Sequence, residues 1–146
     1  MEFVGEVKGV KIFDDFAHHP TAVKSSLIAL KEKFPGQRIW GIFQPRSNTS
    51  VTNVFQDEWV DAFSEADIAV IADLHRKEKI PAEKRLSREK LKSDLEKIGG
   101  ETHLWADIDE ILNGMTASLK EGDVVLIMSN SDFGGLPYKL KGLLEK

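Results

Sequence analysis

The chain is predicted to fold as an α/β domain, an open, mostly parallel Rossmann-like sheet with helices on both faces and room for one antiparallel edge strand. Three observations predict it. Short apolar, β-rich runs alternate with amphipathic stretches of helical period along the whole chain. Two runs, IAVIA at 68–72 and VVLIM at 124–128, are continuously apolar, which suits strands covered on both faces. No repeat, low-complexity tract or linker interrupts the series, so residues 1–146 read as one domain.

The elements follow in order. Residues 3–8 (FVGEVK) offer an edge strand or one arm of a hairpin through Gly9, and 10–13 form a strand that ends in Asp14-Asp15. Residues 21–33 are a helix with Val23, Leu27, Ile28 and Leu30 on one side, closed by Pro35-Gly36. RIWGIF at 38–43 is a buried strand and 44–53 a polar loop. Residues 54–65 place Val54, Phe55, Trp59, Ala62 and Phe63 at the spacing of one helical face. After the strand at 68–72, residues 74–86 are charged and broken by Pro81, an irregular excursion. Ser87 caps a helix over 87–98 that Gly99-Gly100 stops. A short strand covers 102–105. Asp107 with Glu110 gives a capping-box-like start to a helix over 108–119. Gly122-Asp123 turns into the strand 124–128, followed by a loop at 129–135 and a last helix over 136–144.

Composition narrows the function. The absence of cysteine excludes a disulfide scaffold, a thiolate zinc site and a cysteine nucleophile. Twenty basic against 24 acidic residues give a net charge of −4, which does not favour nucleic acid or a membrane surface as partner. No apolar run approaches the roughly 20 residues that span a bilayer. Met1-Glu2-Phe3 opens without a basic, then apolar, leader, so a cytoplasmic location is expected.

In open α/β sheets ligands bind beyond the carboxyl ends of the strands. The residues just after each predicted strand therefore share one rim: Asp14, Asp15, His18 and His19; Gln44, Arg46, Ser47 and Asn48; Asp73, His75 and Arg76; Ser129, Asn130, Asp132 and Gly134-Gly135. Each has a plainer reading. Asp14-Asp15 suits a helix cap, the histidines suit a solvated turn, and the two pairs together suit a hydrolytic metal site that lacks a third spaced ligand set. Arg46 before Ser-Asn-Thr suits a carboxylate or phosphate, because a guanidinium can grip it with two parallel hydrogen bonds. Phe133-Gly134-Gly135 is either a phosphate-binding turn or simply a tight turn. The run 76–88 reads as a solvated face, and Trp40, Trp59 and Trp105 as packing residues. No Gly-x-x-x-x-Gly-Lys-Ser/Thr loop is present, so the chain has no standard triphosphate cradle of its own.

Three segments carry a resemblance. DDFAHHPTAV at 14–23, FQPRSNTS at 43–50 and IMSNSDFGG at 127–135 resemble, in order and spacing, the signatures of the C-terminal domain of the Mur family of UDP-N-acetylmuramate ligases. The likeness covers essentially the whole chain. Phe16-Ala17 in place of Tyr-Gly, and Pro-Arg-Ser-Asn-Thr in place of Pro-His-Arg, are similar to the murein-peptide branch more than to the L-alanine-adding branch. Ser131-Asp132 departs from the family's Gly-Gly.

The resemblance implies an ATP- and Mg2+-dependent ligase of three domains, acting in peptidoglycan recycling. Its N-terminal domain would hold UDP-N-acetylmuramate, its central domain ATP and magnesium, and its third domain, matched here, the incoming murein tripeptide L-Ala-γ-D-Glu-meso-diaminopimelate. ATP would activate the sugar carboxylate as an acyl phosphate, which the peptide amine attacks. On this reading Asp15 and His18 serve the nucleotide and phosphate side, with His19 beside them. Arg46, Ser47 and Asn48 take the peptide's carboxylates, and Asn130 and Gly134 border its pocket. No metal ligand is assigned, and the domain alone is expected to be inactive. The L-alanine ligase, a self-sufficient metal-assisted hydrolase built on Asp14, Asp15, His18 and His19, and a non-catalytic binding module are the competing classes. Fold alone does not choose among them.

Overall fold

A computed structural model describes residues 1–146. The strands are β1 (Glu2–Val7), β2 (Val10–Asp15), β3 (Ile39–Phe43), β4 (Ile68–Ile71), β5 (Glu101–His103) and β6 (Val124–Met128), joined in the order β1-β2-β6-β3-β4-β5. All pairings are parallel except β1 with β2, whose turn places Lys8 and Gly9 at φ 53° and 80°. Paired left-handed residues match the twist of a tight hairpin, so FVGEVK takes the edge-strand role.

Every residue of β3, β4 and β6 is buried, and their side chains alternate between two cores. One core joins Ile39, Phe43, Ile71, Leu126 and Met128 to helices α1 (Pro20–Lys33), α2 (Gln56–Phe63) and α3 (Arg88–Lys97). The other joins Trp40, Ile42, Val70 and Ile127 to α4 (Ile108–Ser118) and α5 (Leu136–Leu144). The fold is therefore the predicted α/β class, with both faces of the parallel sheet covered. No helix is long and apolar enough to cross a membrane.

Local chemistry sets the element ends. The Ser87 side chain accepts the Lys90 N–H at 3.1 Å, and Gly99 at φ 91° follows the end of α3. Asp107 accepts the Glu110 N–H at 2.9 Å, while the Glu110 carboxylate takes the Ala106 N–H at 2.8 Å. The reciprocal capping pair is thus present, displaced by one residue. Two boundaries differ from the sequence reading. Residues 53–55 wind as a 3₁₀ turn before α2, and the tighter winding rotates Val54 off the buried face, leaving it 61% exposed. β5 ends at His103, and Trp105 leaves the ladder to stack on the His103 ring at 4.4 Å. Residues 74–86 form the expected excursion. It holds two 3₁₀ turns, tied back by a Thr52–Arg85 bridge and by the Leu86 N–H donated to the Val51 carbonyl.

Candidate functional site

Because β2, β6, β3 and β4 run parallel, the loops after them meet at one rim. Two structures are built there.

The first is a cavity of about 640 Å³ between the loops after β3 and β4, with Asn130 at its edge. The loop after β3 is held by its own serines. The Arg46 N–H and the Ser47 hydroxyl both donate to the Ser50 hydroxyl oxygen, at 3.0 and 2.7 Å, and Ser50 is fully buried. The Gln44 side-chain oxygen accepts the Ser129 hydroxyl at 2.8 Å, joining this loop to the one after β6. The His75 N–H donates to the Pro45 carbonyl at 3.0 Å, joining it to the loop after β4. The walls carry Arg46, Arg76 and Lys79 and no carboxylate, and none of the three cations makes a salt bridge. Arg46 Nη1 lies 3.2 Å from His75 Nδ1. A guanidinium only donates, so that nitrogen carries a lone pair. Burial, then the charges of Arg46 and Arg76, push the His75 imidazole below its usual range, which keeps it neutral. In a chain of net charge −4, three unanswered cations around one cavity make that cavity locally electropositive.

The second is the motif after β2. Asp15 receives the Ser26 hydroxyl at 2.5 Å on one oxygen. His18 Nδ1 donates to the Phe16 carbonyl at 2.7 Å, which in the neutral ring leaves the lone pair on Nε2, at an exposed position. His19 does the reverse: its Nδ1 accepts the Thr21 N–H at 3.2 Å and caps α1, and its ring meets Phe55 edge-on at 4.8 Å. The adjacent histidines thus hold opposite tautomers. The helix cap expected of Asp14-Asp15 belongs to His19 instead. Burial and the nearby Glu2 charge push the Asp14 carboxyl up. No group of three or more His, Asp or Glu is placed to hold a metal ion, so the four motif residues do not assemble the ligand set that a hydrolytic centre requires.

Arg46, Ser47, Asn48 and Asn130 therefore converge on one cavity, while Asp15, His18 and His19 lie outside its walls. Gly134 also lies outside them. It belongs to a turn with Phe133, Gly134 and Gly135 at φ 49°, 59° and 76°. Ser131 Oγ accepts the Phe133 N–H, Asp132 Oδ1 the Gly134 N–H, and the Asp132 carbonyl the Gly135 N–H. With its donors engaged by its own chain, the segment is the tight turn and not a phosphate cradle. Ser131 and Asp132 are what close it. A Cβ on Gly134 would collide with Ile108 Cδ1. Sequence reasoning reached His75 and Arg76 only as rim positions and missed Lys79, which it assigned to a solvated run. Lys79 lies eight residues past the end of β4 and outside any periodic element, so no sequence signal marks it.

The Mur ligase glutamate ligase domain model matches residues 1–131. The chain is 34% identical, over all of its length, to the UDP-N-acetylmuramate–L-alanyl-γ-D-glutamyl-meso-2,6-diaminoheptanedioate ligase of Escherichia coli. It is 37% identical over 93% of its length to the UDP-N-acetylmuramate–L-alanine ligase of Persephonella marina. It spans 30% and 29% of those two proteins. Among solved structures, a murein peptide ligase from Psychrobacter arcticus superposes with a TM-score of 0.81 at 30% identity, over 100% of this chain and 30% of that one. A separately solved domain from Haemophilus ducreyi, of a protein assigned as the tripeptide-type ligase, gives 0.74 at 28% identity over 98% of both chains. The chain belongs to the Mur ligase family, as its C-terminal domain. The relatives that match it include ligases named for the tripeptide and ligases named for L-alanine.

Proposed function

We propose that this chain is the amino-substrate domain of an ATP-dependent cytoplasmic ligase that joins UDP-N-acetylmuramate to the tripeptide L-Ala-γ-D-Glu-meso-diaminopimelate. The observation that carries the reading is the cavity with Arg46, Arg76 and Lys79 unpaired on its walls. The tripeptide carries three carboxylates and L-alanine one, so the tripeptide is the ligand that answers all three cations. Arg46 offers a guanidinium fork, Ser47 a hydroxyl, and Asn48 and Asn130 amides at the cavity edge.

ATP and magnesium would be held mainly by a central domain, since this chain has no phosphate loop. When bound, ATP would supply the phosphoryl group that turns the sugar carboxylate into an acyl phosphate, with ADP released, and the peptide amine would then displace phosphate. This chain's residues suit the edge of such a site: Asp15 keeps one oxygen clear of Ser26, and His18 presents an exposed Nε2 acceptor. The peptide's ammonium must lose a proton before attack, and the cavity's part is to hold the peptide and exclude water.

Equilibrium binding tests the reading. The tripeptide should bind the chain at least tenfold more tightly than L-alanine, and Arg46→Ala should weaken it about tenfold, the scale of one lost charge-assisted hydrogen bond. Equal affinity for the two ligands would favour the L-alanine reading.

A further inference from the structure

We infer that His75 is a positioning residue: a neutral imidazole that fixes the Arg46 guanidinium at the cavity and so sets the angle at which a carboxylate is gripped. The inference rests on the reading of that cavity as a carboxylate site.

Arg46 has no carboxylate partner, and the one hydrogen bond of its guanidinium is to His75 Nδ1 at 3.2 Å. A long, unpaired arginine otherwise samples many rotamers, and ordering it on binding costs conformational entropy. His75 removes part of that cost beforehand. The backbone behind the ring is anchored, because the His75 backbone N–H donates to the Pro45 carbonyl, one residue before Arg46. The same two loops are thus tied twice, once through backbone and once through side chains.

The tautomer follows from the donor inventory. Nδ1 faces a pure donor, so the ring hydrogen sits on Nε2. Protonation would put a hydrogen on Nδ1 facing Arg46 and dissolve the contact. The charged groups around the ring are Arg46 from the loop after β3 and Arg76 and Glu78 from its own loop. A separate, neighbouring pocket that His75 and Arg76 also line carries Asp73, Asp107, Asp109 and Lys139. Burial and the two arginines hold the imidazole neutral against Glu78.

The test uses the 146-residue chain. Long-range 1H–15N spectra at about pH 7.5 should show His75 with its hydrogen on Nε2. The titration midpoint should lie below 6.5 and rise in Arg46→Ala, since removing a neighbouring cation favours the protonated ring. His75→Ala should weaken tripeptide binding about tenfold. His75→Asn, whose amide oxygen can accept where Nδ1 does, should recover it to within about threefold. A hydrogen on Nδ1, a midpoint unmoved by Arg46→Ala, or an Asn variant no better than Ala would overturn the inference. If the tripeptide does not bind the wild-type chain, the carboxylate reading falls, and the spectra still decide whether His75 holds Arg46.

Discussion

The two ends of the sheet use the same side-chain chemistry to opposite purpose. At the amino end, Arg38 grips Asp123 with two hydrogen bonds, of 2.9 and 2.6 Å. Trp40 Nε1 and the Lys120 N–H also donate to that carboxylate, and Arg38 gives a further bond to the Ser118 carbonyl. Asp123 is 3% exposed, so every charge there is answered inside the chain. At the carboxyl end, Arg46, Arg76 and Lys79 have no carboxylate partner at all. A closed ion network fixes structure, whereas an open one stores attraction for a ligand. The two ends differ in what is left unpaired, not in residue type.

The largest expected effect breaks the closed end. Asp123→Ala leaves the half-buried Arg38 and the buried Trp40 N–H without their acceptor and should cost about 3 kcal/mol by urea denaturation. The Asp123 carboxyl lies below its ordinary 3.8; burial alone would raise it, and the bonds from Arg38, Lys120 and Trp40 outweigh that. Its folded value is depressed, so its contribution is present above the unfolded value and lost as pH falls through the folded one. Asp123→Asn should therefore flatten the acid limb of a stability–pH curve. Next, Gly134→Ala forces a left-handed alanine against Ile108 and should cost about 1–2 kcal/mol in thermal unfolding, although the residue is exposed. Arg76→Gly has the opposite sign. Arg76 sits at φ 53°, so glycine should raise stability by up to about 1 kcal/mol while weakening tripeptide binding, a separation measured by calorimetry of the same variant. The smallest stability change is Lys79→Gln, within about 0.5 kcal/mol. The comparison makes it visible elsewhere, as a shallower salt dependence of peptide affinity.

The fold was legible because burial on both faces leaves its mark directly in the chain: IWGIF, IAVI and VVLIM have nowhere to expose a polar residue. Caps were legible for the same local reason, as at Ser87 and Asp107. The cavity was half legible. Arg46, Ser47, Asn48 and Asn130 stand beside strand ends, where topology alone brings them together. Lys79 stands eight residues past Ile71 along an irregular loop, and no period carries it to the wall. The histidines show a second limit. Sequence pairs His18 with His19, yet hydrogen bonding to the Phe16 carbonyl in one case and the Thr21 N–H in the other gives them different jobs. The choice between tight turn and phosphate cradle at 133–135 likewise depended on where Ser131 and Asp132 aim their oxygens, which spacing does not encode.

Strand β6 lies between β2 and β3 and is hydrogen-bonded to both. It is also the last strand in the chain. During synthesis the β1–β2 hairpin and the β3–β4–β5 group exist as two pieces with no ladder between them, and 124–128 is the keystone that joins them. Cavity and motif come to share a rim only at that moment. The domain is thereby committed to late, long-range closure, which slows folding and leaves two unpaired strand edges open to misassociation until the final strand arrives. A chain cut short before Val124 would lose the strand that both cores pack on, and with it the site.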